Sequence, residues 1–278
     1  MAYVKCLRGI NGSEIPEGST ATPTDVVETL LNCAGIFDKE YTTIAQLLAD
    51  TTSLNTVITS NNAIDYLVRS TTFATAVTAD QTAMSYIGLN NYASNTLLGD
   101  ATWCSAICNS TYFESVLNVK VPVMTSNTTP SGECFASSYR TTGVTRPPYY
   151  AFNGDDTTLW QGADGQNYPQ YLGYTFSNSM KLKKVRLINQ SGSDSGVEKN
   201  LLKDIIIQGS NDGFSSDINN IKSVTLENRG GKYTDDIVID NNTAYNSCRV
   251  YFVNTWQSNT SALNCATSLL QFYGRADV

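Results

Sequence analysis

TTSLNTVITS (51–60), NNAIDYLVRS (61–70), TTFATAVTAD (71–80), QTAMSYIGLN (81–90), NYASNTLLGD (91–100) and ATWCSAICNS (101–110) are successive copies of one ten-residue pattern. YTTIAQLLAD (41–50) opens the array and TYFESVLN (111–118) closes it. The seventh column is aliphatic throughout: Leu47, Val57, Leu67, Val77, Ile87, Leu97, Ile107 and Leu117. The tenth column reads Asp50, Ser60, Ser70, Asp80, Asn90, Asp100 and Ser110, and then Lys120, where the pattern stops. Columns three, four, seven and eight hold most of the apolar side chains. That spacing is one face of a short helix. The tenth-column types accept hydrogen bonds from the free N–H groups of a helix's first turn. Each copy therefore reads as a helix of about two turns, started by its own cap.

A single long helix fails on geometry. Ten residues at ~100° each leave the apolar stripe roughly 80° out of register per copy, so it would wind around the axis. Broken helices keep the apolar columns together. Helices this short are unstable alone and must draw stability from neighbours, as in solenoids. The period is shorter than common solenoid repeats, so two decapeptides are expected to form one helical hairpin.

The chain has 278 residues, room for two domains. Its net charge is −7 with only 15% charged residues, and no basic patch exists to neutralise phosphates, which argues against nucleic acid. There is no histidine, which removes His-based triads and most zinc or copper sites. The seven cysteines, Cys6, Cys33, Cys104, Cys108, Cys134, Cys248 and Cys265, lack metal-type spacing and read as small buried apolar residues. No stretch is long enough to cross a membrane. The run MAYVKCLRGI is too short in apolar residues for a signal peptide, so assembly in a host bacterial cytoplasm is expected.

Residues 1–22 read as an N-terminal arm for attachment, and 23–118 as the helical repeat domain. The latter opens with a helix from Thr24 that ends before Gly35. The Pro- and Ser/Thr-rich segment 119–130 reads as a linker. Strand signals follow in YLGYTF (171–176), MKLKKVRLI (180–188), KDIIIQGSNDG (203–213), SVTL (223–226), DDIVID (235–240), SCRVYFV (247–253) and SLLQFYG (268–274). The expected class is multidomain α + β: an array of short capped helices, then an antiparallel β-sandwich or jelly roll over 131–278.

YYAFNGDDTTLWQG (149–162), PQYLGYTF (169–176), KKVRLINQ (183–190), LKDIIIQGSNDGF (202–214), NSCRVYFVN (246–254) and SLLQFYGR (268–275) stand in one order. That order and spacing resemble the discoidin, coagulation-factor type C, galactose-binding-like family. The resemblance implies an eight-stranded sandwich whose loops at one end bind sugars, lipids or proteins. It also implies a structural Ca²⁺ site in the loop holding Asn153, Asp155, Asp156 and Thr158. Asn153 replaces the family's Asp, and Leu269 stands where an acidic residue often precedes the last strand, so weak binding is expected. The decapeptide array resembles those in structural proteins of tailed bacteriophages, where such arrays often precede a discoidin-like module.

The loop VNTWQSNTSAL (253–263) lies at the binding end in such a sandwich. An aromatic face beside amides suits sugar, because the ring stacks on C–H groups while amides bond hydroxyls. Trp256, Gln257 and Asn259 are the candidate ligand residues, with Asn189, Gln190 and Gln161 from neighbouring loops. Catalysis is not expected. The pairs Asp155/Asp156 and Asp235/Asp236 are adjacent, and adjacent strand residues face opposite ways.

These readings lead to an expected function: a phage virion structural protein, such as a head fibre, decoration protein or tail-fibre component. It would be a homotrimer joined to other virion proteins through its N-terminal region and displaying its sandwich to host-surface carbohydrate. The alternatives are a non-catalytic carbohydrate-binding module of a bacterial glycan-degrading system, or a purely architectural virion protein.

Overall fold

The computed structural model describes residues 23–163, 168–190, 201–229, 232–256 and 265–276. The expected N-terminal arm, 1–22, lies outside them. The chain divides into two compact units, one ending at Asn118 and the other beginning at Val119.

The first unit is helical: α1 (Pro23–Cys33), α2 (Ile44–Ala49), α3 (Thr51–Thr59), α4 (Asn61–Arg69), α5 (Ala74–Thr78), α6 (Gln81–Leu89), α7 (Asn91–Gly99) and α8 (Ala101–Asn109). A 3₁₀ turn, Thr71–Phe73, precedes α5, and another, Phe113–Ser115, closes the array. The tenth column caps as expected. Asp50 accepts from the N–H groups of Thr52 and Ser53, Ser60 from Ala63, Asp80 from Ala83, Asn90 from Ala93, and Asp100 from Thr102 and Trp103. Ser70 makes no side-chain cap bond, and its repeat begins as the 3₁₀ turn instead of an α-helix. At α2 the cap is Thr43, reciprocated by Gln46 in a capping box. Helix α1 ends as read, with Gly35 at φ +78 just beyond it and Ile36 N–H donating to the Leu31 carbonyl.

The predicted apolar columns form the core. Leu54, Val57 and Ile58 of α3, Ala93, Leu97 and Leu98 of α7, and Trp103, Cys104, Ile107 and Cys108 of α8 are all buried. The expected pairing into helical hairpins does not occur. Helix α4 packs on α1 and α7, α6 on α3, and α5 on α2 and α8. Each helix thus meets the third one along, and one coil of the solenoid takes three decapeptides. The reason is the corner. A single extended residue, such as Asn90 at φ −104 and ψ 111, joins successive helices. An antiparallel helical hairpin needs a loop of about 2–5 residues. One residue turns the chain only partway, so three legs close a coil.

Cap side chains also tie successive coils together. Asn90 Nδ2 donates to the Ile58 carbonyl at 3.2 Å, Ser60 Oγ to the Cys33 carbonyl at 3.2 Å, and Ser110 Oγ to the Thr78 carbonyl. Asn90→Ala is expected to lose both roles, lowering stability of the helical unit by about 1–2 kcal/mol. Asn90→Asp keeps the cap but not the donor, so its loss should be roughly half as large. Denaturant unfolding followed by far-UV ellipticity reads both variants.

Among the described residues, one cysteine differs from expectation. Cys104, Cys108, Cys134, Cys248 and Cys265 are free and buried, but Cys33 is held in a disulfide.

The second unit is a β-sandwich: β1 (Val119–Lys120), β2 (Glu133–Ala136), β3 (Trp160–Gln161), β4 (Gln170–Gln190), β5 (Asp204–Ser210), β6 (Asn219–Thr225), β7 (Lys232–Val238), β8 (Ala244–Phe252) and β9 (Ala266–Arg275). The stretches YLGYTF and MKLKKVRLI, expected as two strands, are halves of β4, which serves both layers. Its first half pairs with β2 and β8, and its second half with β7 and β9, with the register shifting between Thr175 and Met180. One layer therefore runs β2–β4–β8–β5–β6. The other runs β7–β4–β9, with β1 and β3 both on the far edge of β9. Ser177, Asn178 and Ser179 are turn-type residues, but none adopts the positive φ that a tight turn would need, and the chain stays extended.

Leu172, Tyr174, Met180, Leu182, Val185 and Leu187 of β4 face inward, against Val250, Phe252, Leu270 and Phe272. The segment 119–130 is not a free linker. It contains β1, and Val121 and Met124 are buried in the sandwich core. The Pro and Ser/Thr composition that marked a boundary hid two apolar anchors spaced for docking.

Candidate functional site

The ladder between β5 and β8 continues past its ends. Val253 N–H donates to the Asp204 carbonyl, Lys203 N–H to Asn254, and Trp256 N–H to Leu201, while Leu202 bridges Thr255. This extension carries the indole of Trp256 to the rim where β3, β4, β5, β8 and β9 begin or end. Trp256 is half-buried. The Lys203 ammonium sits 5.0 Å from its ring centroid, a cation–π contact. The indole Nε1 has no hydrogen-bond partner among the described residues.

Next to it, Asn254 Nδ2 donates to Asp204 Oδ2 at 2.8 Å and Thr225 Oγ1 donates to Asp204 Oδ1 at 2.7 Å. These bonds from Thr225 and Asn254 hold the Asp204 carboxyl below its usual range, so it stays an acceptor at neutral pH. An indole, an ammonium, a carboxylate and an amide thus share one rim. The pattern reading singled out Trp256 but missed Lys203, Asp204 and Asn254. Their signal was the charged Lys203-Asp204 pair ahead of the apolar run of β5, read only as the start of a strand.

The other candidates divide. Asn189 is fully buried: its Nδ2 donates to the Leu202 carbonyl and the Tyr233 hydroxyl, and its Oδ1 accepts from Leu202 N–H. Its amide is taken up inside the fold, where it pins the returning chain at Leu202. Gln161 is also buried, in β3 against Ala266. Both were read as loop amides, yet each falls on a strand whose partner covers it. Gln190 ends β4 opposite Lys232. Gln257 and Asn259 lie outside the described residues.

The expected calcium loop is a turn closed by its own bonds. Asn153 Oδ1 accepts from Asp155 N–H, Asp155 Oδ1 from Thr157 N–H, and Asn153 Nδ2 donates to Thr158 Oγ1. A cation drawing on those oxygens would have to displace bonds the turn already makes. Asp156 follows in the same turn, and the described residues contain no group of three or more His, Cys, Asp or Glu able to hold a metal.

The described cysteines and paired carboxylates are occupied in structural roles. Burial pushes the Cys134 and Cys248 thiols up to about 12, so neither forms a thiolate at neutral pH. The carboxylates of Asp235 and Asp236 are engaged separately, Asp235 with Arg229 and Asp236 with Arg186 and Lys184. Among the described residues no helix is long and apolar enough to cross a membrane.

The second unit is by its architecture an antiparallel β-sandwich with a polar, aromatic-bearing loop end. By sequence the chain matches no family model and no curated protein. Solved structures similar to it over about half of the chain include carbohydrate-binding modules. One is CBM32-3 from a family 31 glycoside hydrolase of Clostridium perfringens, at 16% identity and a TM-score of 0.41, covering 51% of this chain and 88% of that one. Another is the family 32 module of C. perfringens NanJ in complex with galactose, at 13% identity and 0.42, covering 56% and 99%. A third is chitosan-binding module 1 of a chitosanase/glucanase from Paenibacillus sp. IK-5, at 23% identity and 0.39, covering 51% and 95%.

Proposed function

We propose that this chain is a non-enzymatic carbohydrate-binding protein of a tailed-phage virion, with the sandwich as its adhesive unit and the helical solenoid as its spacer. The observation that carries the reading is the rim at Trp256. A half-buried indole, its N–H without a partner among the described residues, stands beside the Lys203 ammonium and the Asp204–Asn254 pair. The ring offers a flat surface to the C–H face of a pyranose, and the polar groups supply both donors and acceptors for its hydroxyls. Such a site binds weakly per copy, and display of many copies, as in a homotrimer on a particle, would multiply its strength. The solenoid suits the spacer role because its side chains are spent on caps and core, with no titratable cluster set aside for chemistry. Any Ca²⁺ taken up at the Asn153–Thr158 turn would have to displace the hydrogen bonds that already close it.

The Cys33 disulfide favours a second reading, a non-catalytic module of an exported glycan-degrading system, since disulfides persist in oxidising compartments. A glycan array on the full chain addresses the shared claim. Binding to neutral host-surface glycans should drop about tenfold or more in Trp256→Ala and in Asp204→Ala. An array on which no glycan binds would leave only the architectural role. Immunogold labelling of intact particles separates the two contexts, because a protein found only in the secreted soluble fraction has no place on a virion.

A further inference from the structure

A second feature lies on the outer face of the β2–β4–β8–β5 layer, on a different surface of the sandwich from the Trp256 rim. Phe135, Gly173, Arg249 and Gln208 form one row across four strands, each paired with the next. Arg249 is only 7% exposed, yet among the described residues no carboxylate pairs with it. Its Nε donates to Gln208 Oε1 at 2.7 Å, its one side-chain hydrogen bond among the described residues. The four N–H groups on its terminal nitrogens have no partner among the described residues, and those nitrogens are not among the sealed, unsatisfied atoms.

Aromatic rings surround it. The guanidinium carbon lies 4.0 Å from the Phe214 ring centroid, 4.6 Å from that of Tyr171 and 5.6 Å from that of Tyr251. Phe135 continues the surface, 5.9 Å from Phe214 and 6.2 Å from Tyr171 between centroids. Two features show that the surface is built, not incidental. Gly173 makes room for it, since a Cβ there would meet Phe135 Cζ at 2.4 Å and Arg249 Cβ at 2.7 Å. Phe214 has φ +66, a conformation that a bulky residue rarely adopts and that needs to be held. Ser210 Oγ holds it by accepting from Phe214 N–H, and Asp212 fixes the same turn by accepting from the N–H groups of Ser215, Ser216 and Asp217.

We propose that this face is a binding site for an acidic saccharide, with a uronate carboxylate on the Arg249 guanidinium and adjoining sugar rings on Phe214, Tyr171 and Tyr251. A guanidinium fork matches a carboxylate bidentately, and the flat ring surface matches pyranose C–H faces. One cation amid neutral rings does not suit a phosphate backbone, which needs a track of positive charges. The site is independent of the Trp256 rim, and either can fail without the other.

The test is calorimetric titration of the full chain with trigalacturonate and with neutral galactotriose. Trigalacturonate should bind, and Arg249→Gln should weaken it by about tenfold or more. Arg249→Lys should also weaken it, because an ammonium keeps the charge but loses the fork. Trp256→Ala should leave the trigalacturonate affinity within about twofold, and Arg249→Gln should leave any galactotriose binding unchanged. Trigalacturonate binding that survives Arg249→Gln, or that disappears in Trp256→Ala alone, overturns the proposal. So does the absence of binding at millimolar trigalacturonate, or equal binding of triglutamate at the same site. If Arg249→Gln does not fold, arginine Nε–H spectra of the native protein decide. A shift of the Arg249 signal with trigalacturonate supports the site, and its absence while the Trp256 indole signal moves rejects it.

Discussion

Gly88→Ala is expected to lower the stability of the helical unit by about 1–3 kcal/mol, although alanine is the better helix former. Gly88 occupies the eighth column, where Ile58, Leu98 and Cys108 stand in other repeats. The repeat rule therefore favours an apolar side chain there, and helix propensity alone would make alanine stabilising by about 1 kcal/mol. The packing opposes it. A Cβ on Gly88 would lie 1.8 Å from the Ser115 carbonyl oxygen and 2.8 Å from its carbon. Both are backbone atoms of the closing 3₁₀ turn, which stacks directly on α6 and cannot rotate aside as a side chain would. Denaturant unfolding of the full chain, followed by far-UV ellipticity, measures the change. A variant as stable as the parent would mean that the closing turn does not pack where it is placed here. Larger residues such as leucine should be worse, the reverse of what the column pattern suggests.

Trp160→Ala should cost about 3–5 kcal/mol in the sandwich. Trp160 is fully buried, its ring stacks on Phe252 at 5.7 Å between centroids with a 25° interplanar angle, and its Nε1 donates to the Ser138 carbonyl at 3.1 Å. Removing the ring leaves a cavity between the two layers and an orphaned carbonyl. Trp160→Phe keeps much of the volume and loses the donor, so a smaller loss of about 1–2 kcal/mol is expected. Equilibrium unfolding curves of the two variants check the ranking. Equal losses would show that the hydrogen bond, not the packing, dominates. Trp256→Ala, by contrast, should change stability little while weakening glycan binding, because its ring is only half-buried at a rim. Trp160 lies within β3 and Trp256 lies four residues past the end of β8, and their burial separates a core role from a ligand role.

Which residues start helices, and which face inward, were legible from the ten-residue columns. Both depend on local chemistry: a side-chain oxygen beside its own N–H groups, and a spacing that puts four columns on one face. The sandwich was legible for a similar reason, since alternation along both halves of β4 and turn residues between short apolar runs mark strands without knowledge of partners. The rim at Trp256 was half legible. An indole in a polar loop stands out, but Lys203 and Asp204 look like any strand edge until the ladder carries them alongside it.

The rest depended on contacts between residues far apart in the chain. Three decapeptides close a coil, not two, because one extended corner residue cannot reverse the chain. Asn189 is buried, not offered to a ligand, because Leu202 and Tyr233 satisfy its amide from positions remote in sequence. Val121 and Met124 belong to the sandwich because its core had space for them, whatever the composition around them. Arg249 acquired its ring of aromatics only when four strands came into register and Phe214 folded back over them. Local hydrogen bonding and side-chain periodicity are written within a few residues of each other, and the sequence alone determined what they control. Corner angle, burial and cross-strand neighbours are set by the whole chain filling space at once, and only the tertiary structure decided those.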